Sequence, residues 1–134
     1  MIKNYLKLTL YVYYCSLIAL FILYLFPGSL IGYLLYGDFG KQPNLIPNPL
    51  GTSINHALTF FYISILSLLT YKKKENLKKT IIFLVSLSII LEISHFFIPN
   101  RSFQSLDLFA NLVGSLIGVF IVILFKKYKR RINK

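Results

Sequence analysis

Seven ionisable residues of this 134-residue chain stand apart from the bulk of its charge: Asp38, Lys41, His56, Glu92, His95, Arg101 and Asp107. Glu92 is the informative one. It lies in an apolar run and precedes Pro99 by seven residues, which places it about 10 Å along a helix from that end. An acid inside a membrane-spanning helix costs about 3 kcal/mol on insertion scales, so it faces other helices or water and has a partner. Ser88, Glu92, His95 and Pro99 recur at offsets of four, three and four, which is one stripe of a helix. Asp107, Asn111, Gly114 and Gly118 do the same further on. With His56 one turn into another apolar run, and Arg101 in the turn between the two stripes, the spacing predicts one polar cluster: His56, Glu92, His95, Arg101, Asp107 and Asn111. Arg101 is expected to fork onto Glu92 or Asp107, as a guanidinium does with a carboxylate.

Three chemistries fit such a cluster. In a binding site, Arg101 takes a phosphate or carboxylate, while Glu92, His95, Asp107 and Asn111 order it or bond sugar hydroxyls. In an enzyme, Glu92 is the general acid or base, His56 its proton partner, and Arg101 stabilises a developing anion beside Asp107. In an assembly subunit, the same polar residues only bond one helix to the next. Gly114 and Gly118 form a G-x-x-x-G pair, which lets a neighbouring backbone approach closely. The stripes of Glu92 and of Asp107, joined by a short turn, are expected to pack against each other antiparallel.

Metal and cofactor chemistry are weighed on the same residues. Glu92-Ile93-Ser94-His95 has the Glu-x-x-His spacing of di-iron bundles, but those need two such motifs and two further glutamates. The chain has four acids in all. A zinc set of His56, His95 and Glu92 has enough ligands on paper. No glycine-rich phosphate loop, nucleophile motif or nucleotide fingerprint is present. No metal and no cofactor is expected.

The elements that must position these residues are apolar. Hydrophobic residues make up 56% of the chain, above the ~45–50% of soluble domains. No charge occurs from Leu8 to Gly37. Runs of about 20 apolar residues suffice to cross a bilayer, and they predict spans near 7–27, 53–71, 80–98 and 106–125. The first is too long for a signal peptide and has no A-x-A-like site after it, so a retained anchor is expected. Residues 37–51 are dense in Gly, Pro and Asn and read as a loop, with Tyr33 and Tyr36 before it suited to the membrane interface. Cys15 is alone in an apolar run, so no internal disulfide can form.

The charge then falls into place. Fifteen Lys and Arg stand against four Asp and Glu, a formal net charge of +11. Lys3 and Lys7 precede the first span, Lys72, Lys73, Lys74, Lys78 and Lys79 lie between the second and third, and Lys126, Lys127, Lys129, Arg130, Arg131 and Lys134 follow the fourth. The other two connections hold Lys41 and Arg101. Four spans put every basic-rich segment on one side, the positive-inside pattern. The expected fold is therefore all-α: a four-helix transmembrane bundle, N-in and C-in, as a single domain over 1–134 with a basic cytoplasmic tail at 126–134. A soluble bundle fails because the runs lack polar stripes at a helical period. Nucleic acid is set aside, because attraction to anionic headgroups explains the basic residues without it.

The order of these residues resembles the VanZ-like family of small bacterial membrane proteins. The resemblance rests on Phe26-Pro27-Gly28, His56 opening the second span, Glu92-x-x-His95, Pro99-Asn100-Arg101 and Asp107-x-x-x-Asn111-x-x-Gly114-x-x-x-Gly118, over about residues 26–118. Its specific part is the block from Glu92 to Gly118. Two departures matter. The family commonly has Asp-Lys where this chain has Thr52-Ser53, and Gln where it has His95, so the latter position supplies a hydrogen bond. The resemblance implies a multi-pass protein of the bacterial cytoplasmic membrane with a cell-envelope role, in a family named for resistance to the glycopeptide teicoplanin. Its implied partners are membrane lipids or a lipid-linked envelope precursor, with a second copy of the chain or an envelope protein as protein partners.

Overall fold

The computed structural model describes residues 2–43, 49–70 and 75–132. Part of the loop expected at 37–51, part of the basic loop with Lys72, Lys73 and Lys74, and the tail residue Lys134 lie outside the described residues. Among the described residues there are five helices and no strand: α1 Ile2–Leu25, α2 Leu30–Tyr36, α3 Ser53–Thr70, α4 Glu75–Ser94 and α5 Ser105–Ile132.

Among the described residues, three helical stretches are long and apolar enough to cross a membrane: Tyr5–Leu25, Ser53–Thr70 and Ser105–Lys129. α4 is not among them. It carries Lys78 and Lys79 near its start and Glu92 near its end, which interrupts the apolar length. It also ends at Ser94 instead of continuing to 98. The chain then turns through the 95–100 segment, where His95, Phe96 and Phe97 donate their amides three residues back to Glu92, Ile93 and Ser94 at 3.2, 3.1 and 2.9 Å. Pro99, which has no amide proton and pushes Ile98 away from helical geometry, keeps the helix from resuming. Pro99 therefore does not share the helical stripe of Ser88 and Glu92.

Beside a buried apolar core of residues such as Leu20, Phe60, Ile63, Leu84 and Leu91, the interior holds many polar side chains and the surface many apolar ones. Ser53, Ser64, Ser67, Ser88, Glu92, His95, Asp107, Asn111 and Ser115 are buried, while Ile18, Ile90, Phe109, Leu116, Phe120 and Phe125 are exposed. Exposed apolar surface on this scale marks a lipid or partner environment. Buried hydroxyls and amides are the groups that hold helices together where the surroundings are hydrocarbon.

α3 and α5 form the most extensive helix pair, and small residues explain why. A Cβ on Gly114 would collide with the Ala57 carbonyl oxygen, and one on Gly118 with the Ser64 hydroxyl. The G-x-x-x-G face of α5 thus packs on α3, not on α4 as its short connection to α5 suggests. α3 supplies the matching small and polar face of Ser53, His56, Ser64 and Ser67. At the opposite end of the pair, the Lys126 ammonium donates to the Leu68 carbonyl oxygen at 2.8 Å, covering an acceptor that the last turn of a helix leaves free.

One helix was not foreseen. α2 starts at Ser29, whose hydroxyl accepts from the Gly32 amide at 2.9 Å, and stops at Gly37 with φ 70°. The chain folds back so that the Ser29 amide donates to the Phe39 carbonyl oxygen at 2.6 Å, and Tyr33 stacks on Phe39 with ring centroids 4.1 Å apart. Gly28 makes the entry possible: its φ of +80° suits glycine, and a Cβ there would lie 2.6 Å from the Phe39 carbonyl oxygen.

Candidate functional site

The end of α1, the start of α3, the end of α4 and the start of α5 meet at one end of the molecule. Each brings a polar residue of the expected cluster or a partner for one. Glu92 and Asn111 are 0% exposed, Asp107 and His95 3%, and His56 9%. A water-poor site of this kind requires every donor and acceptor to be accounted for.

Tyr24 joins the helices. Its hydroxyl lies 2.8 Å from His56 Nδ1 and donates to Asn111 Oδ1 at 2.9 Å. Its ring meets His56 edge-on at 5.1 Å, stacks on His95 at 5.9 Å and packs against Phe60 at 6.0 Å. His56 Nε2 faces Asp107 Oδ2 at 3.5 Å. The other oxygen of Asp107, Oδ1, accepts from the Ser53 hydroxyl at 2.5 Å. Ser53 stands where the resemblance puts a lysine, so here a neutral hydroxyl holds the aspartate. Asp107 also sits in the first turn of α5, where the helix dipole favours a negative charge.

Glu92 closes the cluster from α4. Its Oε1 accepts from the Gln104 amide at 3.0 Å and lies 3.3 Å from His95 Nδ1. Its Oε2 is buried with no hydrogen-bond partner among the described residues, as is Asn111 Nδ2. His95 Nε2 reaches the Tyr24 carbonyl oxygen at 3.1 Å.

Arg101 departs from expectation. Its Nη2 donates to the Leu23 carbonyl oxygen at 2.7 Å and its Nε to that of Phe26 at 3.3 Å. With His95 it covers carbonyls that the end of α1 leaves free, and it forks onto backbone instead of pairing with Glu92 or Asp107. Burial lowers its pKa, against the pull of Tyr24, Glu92 and Asp107. The reason for the geometry is position: the 95–104 turn runs alongside the end of α1, so backbone oxygens are nearer than the acids on the helix faces.

Two cavities open beside the cluster. One, of about 310 Å³, is lined by polar residues that include Gln42, Thr52, His56, His95, Arg101 and Asp107. The second, of about 180 Å³, lies among Leu23, Leu30, Ile31 and Leu58, with Tyr24 at its wall. Gln42, His56 and Arg101 line both.

The structure therefore brings together His56, Glu92, His95, Asp107 and Asn111, and sets Arg101 at the rim. Sequence reasoning missed Tyr24, Ser53, Gln42 and the Gln104 amide. A weak signal for Tyr24 exists: it is buried with Tyr13 and Leu20 at offsets of seven and four, one face of α1. Among ten tyrosines that spacing does not stand out.

No curated protein matches the chain, and no solved structure does. The model of one family, described as VanZ/LLP1, matches residues 10–126. That span takes in the buried tyrosine of α1, the whole polar cluster and the glycine face of α5, and the chain belongs to the VanZ/LLP1 family.

Proposed function

We propose that this protein is a four-helix transmembrane bundle of the bacterial cytoplasmic membrane, with both termini cytoplasmic, and that its outward cavity binds the polar headgroup of a lipid or lipid-linked envelope precursor. The topology reading rests on charge. Lys78 and Lys79 at the start of α4 and Lys126, Lys127, Lys129 and Arg131 at the end of α5 lie away from the cluster, and the cluster's end carries Lys41 and Arg101. Positive-inside asymmetry then turns the cluster outward, with α4 as the third span in order and its Glu92 shielded by the other helices.

One observation carries the ligand class. The polar cavity and the apolar cavity share Gln42, His56 and Arg101, so a single molecule lying across them must have a polar head and an apolar stem. About 310 Å³ is at the lower end of the size of small-ligand sites. Arg101 offers the rim a positive charge that suits a phosphate. Protein purified in mild detergent should retain lipid, detected by native mass spectrometry. Leu58→Trp, which fills the apolar cavity without touching the cluster, should strip it. Equal lipid retention by a folded Leu58→Trp protein would argue against the reading, and the family's link to glycopeptide resistance would then need another route.

A further inference from the structure

Three electron-pair donors converge beside the polar cavity, whose wall two of them, His56 and Asp107, help to form. His56, Glu92 and Asp107 each offer one ligand atom, these atoms all lie within 4.8 Å of one another, and all three residues are buried. What distinguishes the group is how the remaining atoms of each residue are used. The Tyr24 hydroxyl spends its proton on Asn111 Oδ1, so its oxygen accepts from His56 Nδ1–H. Nε2 of the neutral imidazole then carries a lone pair, directed toward Asp107 Oδ2. Asp107 Oδ1 is taken by Ser53. Glu92 Oε1 is taken by the Gln104 amide and faces His95, and Oε2 is buried without a partner among the described residues. Each residue is oriented from behind, as ligands of metals are, and each has an acceptor atom left over.

Distance and charge say what would sit between them. A charge-assisted N–H···O bond between His56 and Asp107 would close to about 2.7–2.9 Å, and the observed separation is 3.5 Å. Two ligand atoms about 2.0–2.2 Å from a tetrahedral zinc ion lie roughly 3.4 Å apart. Two buried carboxylates also need compensation, and Arg101 directs its hydrogen bonds to backbone carbonyls. A divalent cation balances two carboxylates.

We propose that His56 Nε2, Glu92 and Asp107 bind a zinc-type divalent transition-metal ion, with a fourth position open to the polar cavity. An imidazole with two carboxylates and one open position is a zinc-like donor set; magnesium prefers oxygen ligands in octahedral array and keeps its waters. The set differs from the one the sequence puts on paper, because Asp107 takes the place of His95, whose nitrogens face the Tyr24 carbonyl and Glu92. The site stands whether or not a lipid occupies the cavities.

The test uses the full chain in detergent, stripped with a chelator and titrated with Zn²⁺ against a chromogenic chelator, then with Co²⁺ as a spectroscopic probe. One Zn²⁺ per chain is expected, and the visible absorption of four-coordinate Co²⁺. The near-isosteric Glu92→Gln and Asp107→Asn should each weaken Zn²⁺ by more than about 100-fold, beyond the 10–100-fold typical of losing a supporting partner. Leu58→Trp should keep the Co²⁺ spectrum, which separates this site from lipid binding. Absence of stoichiometric Zn²⁺ in the folded wild-type protein, or undiminished binding in the double variant, overturns the proposal. If the variants aggregate, X-ray absorption of the zinc-loaded wild type decides: one imidazole supports the site, and two imidazoles overturn it.

Discussion

The Tyr24 hydroxyl lies 2.8 Å from His56 Nδ1 and fixes which nitrogen of that imidazole faces the acids. Tyr24 is in the last turn of α1 and His56 in the first turns of α3, so one phenol holds two helices and orients the histidine. A third helix joins through Asn111 Oδ1, 2.9 Å from the same oxygen. The consequence is that a residue outside the ionisable set governs the set's geometry.

Tyr24→Phe should therefore act on both stability and metal binding. The ring contacts with His95 and Phe60 remain, while His56 Nδ1 and Asn111 Oδ1 lose their shared partner. Leaving buried polar groups unpaired costs about 1–3 kcal/mol, and Zn²⁺ affinity should fall about 10–100-fold. Thermal unfolding in detergent and chelator competition measure the two effects. Wild-type values in both would remove Tyr24 from its assigned position.

Gly114→Ala should destabilise the α3–α5 pair. The added methyl meets the Ala57 carbonyl oxygen, backbone that cannot turn aside, and overpacking of this kind costs about 1–3 kcal/mol. Leu116→Ala, two residues away and 56% exposed, should change stability by less than about 0.5 kcal/mol. The contrast is read from detergent-resistant unfolding midpoints. Equal midpoints for the two variants would place the glycine face elsewhere.

Arg101→Lys keeps the charge and removes the fork. A lysine cannot reproduce the planar pair of donors onto the Leu23 and Phe26 carbonyls. The loss of one charged hydrogen bond, about 1.5–3 kcal/mol, should appear as faster amide exchange at the end of α1. Unchanged exchange there would mean that Arg101 is free to serve a ligand alone.

The topology has a direct test in a Cys15→Ser background, since Cys15 is exposed. A cysteine at Ser102, in the turn between α4 and α5, should react with a membrane-impermeant maleimide in intact cells. One at Lys78, exposed near the start of α4, should react only after permeabilisation. Reaction of both from outside, or of neither, would remove α4 as a span.

The sequence by itself determined the helical, membrane-type character of this chain and pointed to His56, Glu92, His95, Asp107 and Asn111, which the fold brings together. Both follow from local or additive properties: long apolar runs, charges that segregate between them, and helical offsets such as Asp107–Asn111–Gly114–Gly118. Tertiary structure alone decided which helix each face meets. The G-x-x-x-G face packs on α3 because its two glycines leave room for the Ala57 backbone and the Ser64 hydroxyl, a match that no spacing within α5 can reveal. It also decided the role of Arg101, drawn to carbonyls by the turn that follows the early end of α4, and the presence of Tyr24. It further decided that, among the described residues, ligand-type atoms of His56, Glu92 and Asp107 come within 4.8 Å of one another, a group that does not include His95. Pairing across helices depends on their rotation and depth, and a one-dimensional pattern carries neither.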